Sequence, residues 1–152
     1  MNETALTFEL VEPNDAQVTV LYDLLVKRKY SISHKSNPSY EQHKDFVYNH
    51  PYRRWYLVRC ADYYIGTAYV QNDNSVGINF IEDCYEDNLS TVLGFIRQNL
   101  EPLEAKPSVR YGDFFINVAA RNLKMRDCLK KLGYRESQVT YVMRDGLLAE
   151  ES

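Results

Sequence analysis

Tyr30, His34, Tyr40, His43, Arg53 and Trp55 crowd one short stretch of the chain, and their types suit the binding of a sugar or nucleotide. Aromatic faces stack on a ring, and a guanidinium holds a phosphate through charge-assisted hydrogen bonds. His34, His43 and His50 supply the side chain whose ordinary pKa best fits proton transfer near neutrality, and Glu82 offers a carboxylate for the same task. Other chemistries lack their residues. The three histidines and three cysteines (Cys60, Cys84, Cys128) show no metal-ligand spacing and no CxxC pair, so no metal is expected. No Gly-x-Ser-x-Gly elbow marks a serine nucleophile.

These residues need elements to hold them. Leu6 to Val11 reads as a first strand closed by Glu12-Pro13. Asn14 or Asp15 caps a helix with an apolar stripe of Val18, Leu21, Tyr22, Leu24 and Leu25, and Lys27, Arg28 and Lys29 suit its C-terminal dipole. Ser39-Tyr40-Glu41-Gln42 is a capping box opening a second helix to about Asn49, which His50-Pro51 ends. Trp55 to Cys60, Tyr64 to Gln71 and Val76 to Ile81 are β-rich runs separated by turn residues, the pattern of an antiparallel meander. An acidic loop, Glu82 to Asn88, precedes a helix from Leu89 to Leu100. After a proline-containing connector come a strand at Phe114 to Val118, a helix capped by Asn122 and stopped by Gly133, and a last strand at Gln138 to Arg144.

At 152 residues and 45% hydrophobic content the chain is one domain, 1–152, with a core that needs no disulfide or metal. A tail from about residue 145 is expected to fray. The odd cysteine count and the absence of an apolar leader predict a cytoplasmic protein, and no run is long enough for a membrane helix. A net charge of −3 argues against nucleic acid as partner. A small molecule, with or without a homodimer, is the expected partner.

The segment DFFINVAARNLKMRDCLKKLGY (Asp113 to Tyr134) joins an apolar strand, an Asn, an amphipathic helix and a Gly-Tyr ending without slack. In this it resembles the closing segment of the GCN5-related N-acetyltransferase superfamily. The run RKYSISHKSNPSYEQHKDFVYNHPYRRWYLV, followed by YYIGTAYV, is similar to the front half of members that acylate nucleotide-linked amino sugars. The resemblance implies an α/β (α+β) fold with a mixed, mostly antiparallel sheet, helices on both faces and a splayed parallel strand pair. It implies transfer of an acyl group, usually acetyl, from its CoA thioester to a small amine, with an amino-sugar nucleotide in glycan biosynthesis as favoured acceptor.

Carried onto this chain, the resemblance assigns the pantetheine arm to the backbone of Asn79, Phe80 and Ile81. It assigns the pyrophosphate to amides of Asn88, Leu89, Ser90 and Thr91, and a further cofactor contact to Asn122. Glu82 and His34 are the candidate bases, and Tyr85 or Tyr141 the candidate acid for the departing thiolate. The acceptor groove takes Tyr30, His34, Tyr40, His43, Arg53 and Trp55. The chain departs from the family twice. The stretch from Ile81 to Thr91 has no glycine and four carboxylates where a Gly-rich turn is usual, and position 129, usually tyrosine, is Leu129. Those departures define the alternative: a non-catalytic ligand-sensing or protein-interaction module on the same scaffold.

Overall fold

The computed structural model describes residues 5–28, 37–81 and 85–144. Strand β1 (Leu6–Leu10) leads into helix α1 (Asp15–Val26), where the Asn14 side chain accepts from the Gln17 amide at 2.8 Å. Helix α2 (Tyr40–Tyr48) opens with the expected capping box: Ser39 Oγ accepts from the Gln42 amide, and Gln42 Oε1 accepts from the Ser39 amide. Strands β2 (Arg54–Cys60), β3 (Tyr63–Val70) and β4 (Ser75–Phe80) follow, then helix α3 (Tyr85–Asn99), strand β5 (Phe115–Ile116) and helix α4 (Leu123–Lys131). The described strands form one five-stranded sheet in the order β1-β2-β3-β4-β5, antiparallel except for the β4–β5 pair.

Alternation along the strands sends successive side chains to opposite faces. Val58, Ala68, Val70, Val76 and Ile78 face α3 and α4 and join Leu89, Val92, Ile96, Met125 and Cys128 in the larger core. Trp55 and Leu57 face α1 and α2 and pack with Val11, Val18, Leu21, Leu24 and Val47. Helix α4 ends as expected at Gly133, whose φ of +97° suits a residue without a Cβ. The Tyr134 amide donates to Leu129 and the Gly133 amide to Lys130, closing the helix end in a Schellman pattern.

The parallel pair is short. Ser75 lies opposite Phe115 and Val76 opposite Ile116, and β4 then runs on to Phe80 with no β5 partner. The two strands are therefore adjacent, parallel and splayed at their carboxyl ends, as expected. Their closed end is held by Asn74, which is fully buried with φ +75°. Its Nδ2 donates to the carbonyls of Leu103 (2.9 Å) and Tyr111 (2.6 Å), its Oδ1 accepts from the Leu103 amide (2.7 Å), and its carbonyl accepts from the Phe115 amide (3.1 Å).

Three expectations need correction. Helix α3 begins at Tyr85, not Leu89, because Tyr85 extends the buried stripe of Leu89, Val92, Leu93 and Ile96 back by one turn. Residues 138–144, expected as a last strand, form no strand, and Val139, Tyr141, Val142 and Met143 are exposed, which leaves the described sheet at five strands without that last one. The strand expected from Phe114 to Val118 pairs only at Phe115–Ile116. No helix among the described residues is long and apolar enough to cross a membrane.

Candidate functional site

The α1–α2 side of the sheet encloses a cavity of about 370 Å³. Leu21, Leu24 and Leu25 line it from α1, Arg28 from just beyond the end of that helix, and Gln42, His43 and Phe46 from α2. Its floor is Gly66, Thr67 and Tyr69 of β3 together with Asn79, Phe80 and Ile81 at the end of β4, while Tyr52 and Trp55 close one wall. The Tyr52 and Tyr69 rings stack with centroids 4.1 Å apart, and Trp55 meets Tyr52 edge-on at 5.0 Å. Tyr69 in turn lies flat over β4: a Cβ on Gly77 would fall 2.1 Å from its Cζ, so only glycine leaves room for the ring. Burial raises the pKa of both tyrosines, which stay neutral hydrogen-bonding groups.

The polar groups of the cavity are few. Arg28 lies at the helical spacing of Leu21, Leu24 and Leu25, and burial lowers its pKa from the usual value. His43 is 6% exposed, and its Nε2 has no hydrogen-bond partner, like Nε1 of the buried Trp55. Burial, and then the positive charge of Arg28, push the His43 pKa below 6.5, so its imidazole is neutral at pH 7. No Asp or Glu lines the cavity among the described residues.

Of the six residues expected to form the acceptor groove, the cavity gathers His43 and Trp55. Tyr30, His34 and the candidate base Glu82 lie outside the described residues. Tyr40 packs beside it, its ring edge-on to Tyr22 at 5.3 Å and its hydroxyl 3.2 Å from Thr19 Oγ1. Arg53 points elsewhere: its Nη1 donates to the Glu101 carbonyl at 2.9 Å, outside the cavity lining. Arg28, Gln42, Phe46, Tyr52 and Tyr69 were missed. For Arg28 the signal was present, since a charge at the next position of an apolar stripe is turned toward the core rather than toward solvent.

A second region adjoins the β4 end from the other face. Beyond Val76 the alternation of the antiparallel ladder turns the backbone groups of Ile78 and Phe80 toward the splay. Tyr85, the first residue of α3, reaches into it. Its hydroxyl accepts from the Phe80 amide (3.4 Å) and from Asn122 Nδ2 (3.2 Å), and its carbonyl accepts from Cys128 Sγ (3.4 Å). Asn122 Oδ1 is itself the cap of α4, accepting from the Met125 amide. The early start of α3 also commits the amides of Leu89, Ser90 and Thr91 to helical hydrogen bonds and sets Glu86 and Asp87 in its first turn. Leu129 packs into the core, and burial raises the thiol pKa of its neighbour Cys128. Among the described residues no cluster of His, Cys, Asp or Glu is arranged to hold a metal ion.

No family model matches the sequence, and no curated protein matches it either. Solved structures do. A possible acetyltransferase from Clostridium difficile 630 superposes with a TM-score of 0.55 at 10% identity, covering 94% of this chain and 99% of its own. An aminoglycoside N-acetyltransferase, AAC(6')-Iy, in complex with CoA, gives 0.58 at 9% identity over 96% and 98%. A ribosomal-protein-alanine N-acetyltransferase from Brucella melitensis biovar Abortus 2308 gives 0.57 at 12% identity over 92% and 99%. At these identities the likeness establishes the fold alone, and the described fold of this chain is the one those three structures share.

Proposed function

We propose that the domain is an acyl-CoA-dependent N-acyltransferase, acetyl being the favoured group, that acts on a small amine bound in the cavity. One observation carries the reading. The end of β4, Asn79 to Ile81, is both the floor of the cavity and the rim of the strand splay, so an acceptor on one side and a thioester arm on the other meet at the same backbone. Ile78 and Phe80 turn toward the splay N–H and C=O groups of the kind that the amides of a pantetheine arm require, the Phe80 N–H being held by the Tyr85 hydroxyl until an arm takes its place. The fold relative crystallised with CoA supports acyl-CoA as the donor.

The chemistry asked of the residues is modest. The amine nitrogen attacks the thioester carbonyl, a proton leaves that nitrogen, and the C–S bond breaks to release a thiolate that takes up a proton. Glu82, next in sequence to Ile81, and His34, between α1 and α2, are proposed as bases for the first proton. Tyr85, with its hydroxyl 3.4 Å from the Phe80 amide, is proposed as the donor of the second. An amino sugar carried on a nucleotide remains the favoured acceptor, supported by the aromatic walls of Tyr52, Tyr69 and Trp55 for a ring and by Arg28 for a phosphate. Isothermal titration with acetyl-CoA, followed by thiol release in the presence of a nucleotide-linked amino sugar, tests the reading. Saturable binding and acceptor-dependent thiol release are expected.

A second reading rests on Tyr85. Its ring and its hydroxyl bonds tie β4 to α4 across the splay, and Glu86 and Asp87 oppose a pyrophosphate at the start of α3. A non-catalytic module that binds a ligand in the cavity alone would have this arrangement. Absence of acetyl-CoA binding at millimolar concentration, in both the native protein and Tyr85→Ala, would decide for it.

A further inference from the structure

We propose that two copies of this chain exchange arms, residues 138–144 of each adding as an antiparallel strand to the outer edge of β5 in the other. The inference is independent of the transferase reading and concerns what completes the open end of the sheet.

Both halves of such a contact are present in one chain, and neither is met there. Strand β5 is the last of the described sheet and pairs with β4 on one side alone. Among the described residues no strand takes its other side, and Phe114, Phe115, Ile116 and Val118 keep part of their surface in solvent. An edge of that kind presents a row of N–H and C=O groups that a further strand can pair with. The arm has the complementary need. Val139, Thr140, Tyr141 and Val142 are strand formers by type, yet the segment forms no ladder, and Tyr141 is 86% and Met143 98% exposed. Val139 and Val142 are exposed as well, so apolar side chains at both odd and even positions of the arm meet solvent. A contiguous apolar stretch held in water in this way marks a surface for association.

The pairing pattern identifies the partner. Set antiparallel, Val139 falls opposite Val118, Thr140 opposite Asn117, Tyr141 opposite Ile116, Val142 opposite Phe115 and Met143 opposite Phe114, so the one polar residue of each run meets the other. A slip of one residue either way sets both Thr140 and Asn117 against apolar side chains. Phe114, Ile116 and Val118 pack on the larger core, and residues directly opposite in a ladder share a face, so Val139, Tyr141 and Met143 extend that core in the exchanged pair.

The chain's own arm is at the wrong end for this register. After α4 the chain has returned to the start of β5, where the Tyr111 hydroxyl donates to Gln138 Oε1 at 3.5 Å. The register instead needs Gln138 past the other end of the strand, opposite Ala119. A second copy related by a two-fold axis brings its arm in from that end and in the opposite direction, and the same operation places the first arm on the second copy's edge.

Analytical ultracentrifugation of the full chain over a concentration series is expected to show a monomer–dimer equilibrium. Tyr141→Asp sets a charge at a side chain that a single chain leaves in solvent, so it is expected to keep the native near-ultraviolet spectrum while weakening dimerisation at least about tenfold, because pairing would bury that charge. Crosslinking reads the register: an equimolar mixture of Thr140→Cys and Asn117→Cys chains, oxidised with glutathione, is expected to give a disulfide joining one of each, identified by peptide mass. Thr140→Cys chains that link only to one another would show arm against arm, and a Thr140→Cys, Asn117→Cys double variant that closes its bridge within a monomer would show the arm on its own edge. Either result overturns the exchange, as does a single-chain mass at every concentration or a dimer that Tyr141→Asp leaves intact.

Discussion

The two faces of the sheet are built from similar residues to opposite ends. On the α3–α4 face, Leu89, Val92, Ile96 and Met125 are each at most 1% exposed and fill the space over β4, with Tyr85 and Asn122 hydrogen-bonded among them. On the α1–α2 face, aromatic rings stand around a cavity and leave His43 Nε2 and Trp55 Nε1 unsatisfied. Dispersion and apolar burial reward the first arrangement, whereas the second forgoes contacts and strands polar atoms. One face holds the fold together and the other spends stability on a binding space.

Truncations measure that contrast most directly. Leu89→Ala, in the filled face, is expected to cost about 4 kcal/mol, and Leu21→Ala, beside the cavity, about 2 kcal/mol, because part of the space around Leu21 is already empty. Urea denaturation of the two variants checks this, and equal losses would break the contrast. Next in size, Asn74→Ala removes three side-chain hydrogen bonds and puts a Cβ residue without local bonds at positive φ, a loss of about 3 kcal/mol by the same method.

Tyr85→Phe is expected to lower stability by about 1 kcal/mol, since it leaves the Phe80 amide and Asn122 Nδ2 without their shared acceptor. If the splay receives a pantetheine arm, the freed groups become available and acetyl-CoA binds no more weakly than to the native protein. Tighter binding would identify the tyrosine as a competitor for that place, and calorimetry distinguishes the two.

How far the sequence could take such an argument depended on the kind of signal. Caps were legible because they are local chemistry: Asn14, Ser39, Asn122 and Gly133 all act where their types predict. The parallel pair followed from an apolar run on each side of a helix. The start of α3 was misjudged because Glu86 and Asp87 read as loop, although acidic residues equally suit a first turn and Tyr85 continues the stripe. Residues 138–144 have the composition of a strand, but strand formation needs a partner edge, which composition does not report. In the site, His43 and Trp55 were legible as types, whereas Arg28 was assigned to the helix dipole although its position continues the spacing of Leu21, Leu24 and Leu25 that lines the cavity.

Titration separates the faces in another way. The folded pKa values of His43 and His50 both lie below the ordinary 6.5, chiefly through burial. Below pH 6.5 the unfolded chain therefore binds more protons than the folded one, so stability is complete above that pH and falls as the pH drops toward the folded values. Melting temperature is expected to decrease between pH 7 and pH 5, and His43→Gln should flatten that slope. A slope that His43→Gln leaves unchanged would assign the loss to other groups. The smallest effect is expected at Arg53, a half-buried residue whose side chain donates to the Glu101 carbonyl outside the cavity: Arg53→Ala should change stability by less than about 0.5 kcal/mol and leave the acceptor Michaelis constant unaltered.

The knot at Asn74 gives the sheet a mechanical property. Because β4 and β5 are joined only at Ser75 and Val76, next to that residue, the two strands behave like the arms of tweezers hinged at one end. Widening the far end breaks no β4–β5 hydrogen bond, so the tolerance for bulkier guests is set by the side chains between the tips, above all Tyr85, while the hinge keeps its dimensions.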